Sequence, residues 1–174
     1  DIDTTLTAFE GMFTARPGEL DPNQAPIADR RPPQVRRGFY GGGLPVPPGM
    51  DQRYRDSFRE MMGIVKAMYD AGVPIVAGTD NGPVGFQLLR ALELYVQAGI
   101  PAPKVLELAT IGSARVMHHE ADRGSIAVGK VADAVLVDGD PTTNISDVRR
   151  TVVVVKDGIV YQPKELYAAL GVKP

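Results

Sequence analysis

The chain has 174 residues, 44% of them apolar, with a formal net charge of −2 and a calculated pI near 5.7. That length supports one domain with its own core, and without a basic stripe a phosphate backbone is excluded as the main partner. No apolar run approaches the roughly 18 residues that span a bilayer, and the absence of Cys excludes disulfides, thiolate catalysis and Cys-ligated metal.

The opening "DIDTTLTAFEGMF" predicts a short helix capped by Thr4 or Thr5, with Leu6, Phe9 and Phe13 spaced three and four apart. Residues 16–50 are dense in Pro and Gly, which denies them a ladder and predicts a long loop. Within it lie Arg30–Arg31, Arg36–Arg37 and "GFYGGG", whose Phe39 and Tyr40 are candidates for substrate contact. Two readings of this loop stay open, a solvated excursion and a substrate lid. As a lid it is expected either to be the most mobile region or to fold over the functional face.

From Asp51 to Ala71 the apolar residues Tyr54, Phe58, Met61, Met62, Val65, Met68 and Tyr69 recur with helical spacing, and Gly72 is the expected stop. "VPIVA" at 73–77 has almost no polar face and predicts a fully buried parallel strand. It stops abruptly at "GTDNG", whose carboxylate, Asp80, stands where such sheets place chemistry. Asp80 is thus a candidate site residue, against the plainer reading that it bends the loop or caps the next helix. Thr79 and Asn81 read as turn formers that orient it and as candidates for substrate contact.

A helix is expected from about Gly85 to Ala98 with Gly99 as its stop, and another over 103–117 broken near Ile111 and Gly112. After Met117 short β-branched runs alternate with Gly and Asp turns, and Asp157-Gly158 between two apolar runs predicts a two-residue hairpin. Lys130, Asp133, Asp138 and Asp140 read as turn and edge residues, Arg115 as a helix-surface cation, and Lys164 to Leu170 as a closing helix.

"VPIVAGTDNG", "ALELYVQAGIPAPKVLELATIGSARVM", "DRGSIAVGKVADAVLVDGDP" and "VVVVKDGIVY", in this order, resemble the amidohydrolase superfamily over about residues 51–161, in particular its imidazolonepropionase and prolidase-like branch. The resemblance implies an α/β fold, the last part of a (β/α)₈ TIM barrel, with strands of an accompanying small β-sandwich. The implied division is 1–117 as barrel, 118–162 as sandwich and 163–174 as tail. By motif, 73–77 matches the eighth barrel strand, "DIDTTL" the end of the seventh, and Asp80 the aspartate that ligates a divalent metal, zinc by preference, and takes the proton of the attacking water.

The family's other ligands, a His-x-His pair, a Lys or Glu and two further His, have no counterpart here. The two histidines, His118 and His119, are neighbours expected to point about 100° apart and to be structural or exposed. The sequence therefore looks like the C-terminal part of a hydrolase of C–N bonds, acting on an amide, peptide-like or cyclic amide and inactive alone. The missing N-terminal barrel portion or other copies of the chain are its expected partners, and an oligomer follows from unpaired strand edges. The alternative is a non-catalytic module that acts by association. Localisation is left open.

Overall fold

The computed structural model describes residues 1–80 and 86–171. Strand β1 (Ile2–Asp3) leads into helix α1 (Leu6–Thr14), and strand β2 (Ile75–Val76) lies parallel to β1 with Ile2 opposite Ile75 and Asp3 opposite Val76. The ladder is shorter than the predicted strand 73–77. Pro74 has no N–H to give; its carbonyl accepts from the Ile2 amide at 2.9 Å, and the residue itself is exposed.

Between β1 and β2 come α1, the residue 16–50 segment and the long helix α3, Asp51–Asp70. The segment has no strand, as its composition predicts, but it does hold helical turns: a 3₁₀ turn at Ala25–Arg30, helix α2 at Pro33–Arg36 and a 3₁₀ turn at Arg37–Tyr40. Pro fits the first positions of such turns because no N–H is needed there. Asn23, Gln24, Ile27 and Ala28 are buried, so this part is fastened to the core. Helix α3 ends at Gly72 as expected: with φ +74, Gly72 lets its own amide reach the Tyr69 carbonyl and the Val73 amide reach that of Met68.

The expected cap on α1 is absent. Thr5 adopts a left-handed φ of 42 and makes no side-chain cap; its amide donates to Asp3 Oδ1 instead, and the Thr4 hydroxyl is engaged by Tyr95. Helix α4 runs Phe86–Gln97, the stretch beginning at Gly85 lying partly outside the described residues, and Gly99 follows at φ +101. The predicted break in 103–117 is a widening. Helix α5 (Ala102–Glu107) passes through a π turn at Leu108–Gly112 into α6 (Ser113–Val116), with the Ser113 hydroxyl donating to the Leu108 carbonyl at 2.7 Å.

Leu6, Phe58, Val65, Ile75, Leu92, Leu94, Tyr95, Ile100 and Val105 form the core, so helices from both sides of the chain's midpoint close over the parallel pair. Ile145 and Val148, from a 3₁₀ turn at Ile145–Arg149, join it. That turn carries the second unit, an antiparallel sheet of β3 (Ala134–Val137), β4 (Thr151–Lys156) and β5 (Ile159–Tyr161) in the order β3-β4-β5. Asp157 and Gly158, at φ 51 and 78, make the predicted hairpin turn between Lys156 and Ile159. "GSIAVG", by contrast, forms turns and no strand; Ile126 is 93% exposed, so no described residue covers the side chain that the β pattern needed to bury. Helix α7 (Pro163–Ala169) ends the described chain.

Candidate functional site

Each parallel strand delivers a carboxylate at its C-terminal end, Asp3 from β1 and Asp80 from the turn after β2. Asp3 lies directly on Gly78: a Cβ there would collide with the Asp3 carboxylate, which would have to turn aside to admit any larger residue. Asp80 is exposed and holds a left-handed φ of 47. Asp tolerates that region better than most side chains, and such outliers gather at functional turns.

The turn is braced from below and from the side. Tyr95 is fully buried; its hydroxyl donates to the Val76 carbonyl at 3.1 Å and accepts from Thr4 Oγ1 at 2.8 Å. Burial pushes the Tyr95 phenol above its usual range, the Thr4 bond opposes this, and the Asp3 charge adds to it. Tyr95 therefore stays neutral and can donate at physiological pH. Thr7, also buried, donates from Oγ1 to the Thr79 carbonyl at 3.1 Å, while its own carbonyl accepts from Asn23 Nδ2 at 2.6 Å. Through this relay the 16–50 segment is tied to the residue preceding Asp80.

A second set of charges fixes the surrounding helices. Arg90 reaches Glu10 with two nitrogens, at 2.9 and 2.5 Å, and Glu93 at 3.2 Å. Arg149 grips Glu93 in turn at 2.7 and 3.0 Å, and the Ser146 hydroxyl donates to it at 3.0 Å. Burial alone would raise the Glu93 carboxyl; Arg149, helped by Arg90 and Ser146, outweighs it and holds the group below the usual glutamate range. The α1–α4 pair and the 145–149 turn are thus locked together.

Of the residues singled out by sequence, Asp80 and Thr79 stand at the strand ends, and Asn81 lies outside the described residues. Phe39 and Tyr40 are placed by their carbonyls, which accept from the Asp21 and Gly18 amides. Among the described residues no hydrogen bond or ring contact joins them to Asp80. His118 and His119 are exposed, and His118 borders a groove of about 470 Å³ with Asp1, Val73, Pro74 and Arg115. That groove lies at the N-terminal ends of the strands, away from Asp80. Asp133, Asp138 and Asp140 do structural work: Asp133 accepts from the Asp157 amide at 2.9 Å, Asp138 pairs with Arg150 at 2.6 Å, and Asp140 accepts from Thr142 and Thr143.

Asp3, Thr7 and Tyr95 were not marked by their sequence context as partners of the Asp80 turn. The available signal was the polar run "DTT" right after an apolar residue, which matches the pattern "GTD" after β2. Among the described residues no group of three or more His, Cys, Asp or Glu side chains could hold a metal ion. Taken alone, the donors present do not fit a closed zinc site, which needs about four.

A sequence model of the amidohydrolase family matches residues 54–160. The 5-methylthioadenosine/S-adenosylhomocysteine deaminase of Desulfovibrio desulfuricans is 39% identical over 85 residues, which is 42% of this chain and 19% of that protein. A probable imidazolonepropionase of Nematostella vectensis is 35% identical over 78 residues, 43% of this chain and 18% of its own. A Xaa-Pro dipeptidase crystal structure superposes with a TM-score of 0.57 at 31% identity, covering 67% of this chain and 29% of that one. A bottromycin amidohydrolase gives 0.65 at 21% identity over 98% of this chain and 40% of that one, a likeness of fold alone. The chain thus spans about a fifth of the length of these two curated relatives. With the family match extending over more than half of its residues, this chain belongs to the amidohydrolase family.

Proposed function

We propose that this chain is the C-terminal part of a metal-dependent amidohydrolase that cleaves C–N bonds of amides, peptide-like or cyclic. In this reading β1 and β2 are the seventh and eighth strands of a (β/α)₈ barrel, residues 118–162 belong to its small sandwich, and 163–174 form the tail. The observation that carries it is the parallel β1–β2 pair with Asp80 on the turn past its C-terminal end, the face where barrels of this kind place chemistry. The names of the relatives, a deaminase, an imidazolonepropionase and a dipeptidase, favour hydrolysis over association without catalysis.

Asp80 takes the proton of the water that attacks the carbonyl carbon. It then returns the proton to the nitrogen as the C–N bond breaks. Family members generally use a divalent metal, and Asp80 would be one of its ligands, the others coming from the rest of the barrel. Thr79 and Asn81 flank the reacting group. Phe39 and Tyr40 meet substrate only where it extends along α1 towards residues 18–21. The rest of the barrel, or a second copy, would pair with the strand edges left open beside β1 and β2.

Two preparations test this. A longer protein containing this chain and the rest of the barrel should release amine from N-acyl amides, lose that activity to a chelator and regain it with zinc. Residues 1–174 alone should be inert and should bind zinc no tighter than about micromolar by calorimetry, since one carboxylate cannot replace several converging ligands. Chelator-resistant turnover, or a stoichiometric tight zinc site in the short chain abolished by Asp80→Ala, contradicts the reading.

A further inference from the structure

We propose that Thr7 is a positioning residue for Asp80: its hydroxyl holds the peptide plane from which the Asp80 side chain is set, so that loss of this one donor slows the chemical step and leaves substrate binding unchanged. The proposal rests on Asp80 being the reacting carboxylate. Thr7 Oγ1 donates to the Thr79 carbonyl at 3.1 Å, across 72 positions of sequence. That carbonyl and the Asp80 amide belong to one planar peptide unit. The φ of 47 at Asp80 is the rotation about the next bond, N–Cα, measured against that unit. Holding the plane therefore holds the base from which the Asp80 carboxylate projects. A left-handed φ is sparsely populated for any residue but glycine and persists only where the surroundings enforce it.

Thr7 is placed to act outside its own helix. Thr14 and Thr110 make the ordinary back-bond of a helical threonine, to the Glu10 carbonyl at 2.7 Å and the Leu106 carbonyl at 2.6 Å. Thr7, in contrast, is the second residue of α1, and four positions before it stands Asp3, in β1. Its hydroxyl is turned out of the helix to the end of β2. The side chain is fully buried, and its branched Cβ leaves χ1 little freedom. Asn23 steadies it from the other side: Nδ2 donates to the Thr7 carbonyl at 2.6 Å, while the Asn23 amide donates to Asp21 Oδ1 at 2.9 Å. The bonds of Tyr95 end elsewhere. They join Thr4 to the Val76 carbonyl, which ties the two strands together four positions short of Asp80.

The test uses the longer protein, with amine release from N-acetyl-L-alaninamide as one readout and the Asp80 φ in its crystals as the other. Thr7→Val keeps the shape and removes the donor. It should lower kcat by about 10- to 100-fold, the range for groups that orient a working side chain, with KM within about twofold of the parent, and Asp80 should leave the left-handed region. Thr7→Ser restores the hydroxyl and should recover kcat to within about fivefold, with the φ regained. Thr14→Val, the same change at a hydroxyl bonded within α1, should leave kcat within about twofold. If Thr7→Val does not fold, Thr7→Cys decides: its thiol has nearly the same shape but donates weakly, so kcat should fall at least about threefold below that of Thr7→Ser. A loss under about tenfold in Thr7→Val, a loss confined to KM, an equal loss in Thr14→Val, no recovery in Thr7→Ser, equal rates in Thr7→Cys and Thr7→Ser, or an unchanged Asp80 φ in Thr7→Val overturns the proposal. The two readings fail separately. Hydrolysis that survives Asp80→Asn defeats the catalytic assignment, whereas hydrolysis abolished by Asp80→Asn and untouched by Thr7→Val defeats only the role of Thr7.

Discussion

Asp80→Asn in the longer protein is expected to lower turnover by about 10² to 10⁴, the range for loss of a general acid–base group. The substitution is chosen because it spares the turn. Asn, like Asp, is enriched in the left-handed region, so the φ of 47 survives, and any capping loss stays within about 1 kcal/mol. An amide, however, accepts no proton at neutral pH. Rates and melting curves should therefore separate: nearly unchanged unfolding, nearly absent hydrolysis. Activity above about a tenth of the parent's would show that Asp80 is a turn residue and no more.

The largest stability effect is expected at Glu93. Its side chain is 9% exposed and serves both Arg149 and Arg90, whose side chains are 18% and 16% exposed. Glu93→Ala removes the shared anion and strands one guanidinium, which typically costs about 3–5 kcal/mol. That is a large part of the roughly 5–15 kcal/mol that holds a domain folded. Urea unfolding of residues 1–174 measures it, and a loss under about 1 kcal/mol would mean that the network is merely tolerated. The pH dependence follows from the direction of the shift. Because Glu93 is held below its unfolded value, its contribution is complete above about pH 4.3 and drains away as pH falls through the lower, folded value. Carboxylates held down by Arg55, Asp157 and Thr142, namely Asp51, Asp133 and Asp140, slope the same way. The contrast between parent and Glu93→Gln isolates the single group.

How much of this was legible beforehand depended on whether the determining contact was local. The α3 face, the Gly72 stop and the Asp157-Gly158 turn follow from spacing and backbone chemistry within a few residues, and all three are present. The Asp80 turn was legible for the same reason, an apolar run cut off by a carboxylate between glycines. Glu10, Arg90, Glu93 and Arg149 were not, because charges on amphipathic helices read as solvated until a partner 80 or 56 positions away is brought against them. The packing of Arg31 over the Phe86 ring was hidden in the same manner, since nothing local pairs residues so far apart in the chain. "GSIAVG" failed in the opposite direction. Its β-branched residues satisfy the local pattern, but among the described residues no surface covers Ile126 and Val128.

Anomalous diffraction at the zinc edge, from crystals of the longer protein, shows whether Asp80 stands at the metal and the reacting bond. With Asp80 as ligand, an ion is expected on the C-terminal side of the β1–β2 pair, about 2.0–2.2 Å from an Asp80 carboxylate oxygen. An ion bound elsewhere, with Asp80 turned to solvent and far from it, would contradict it.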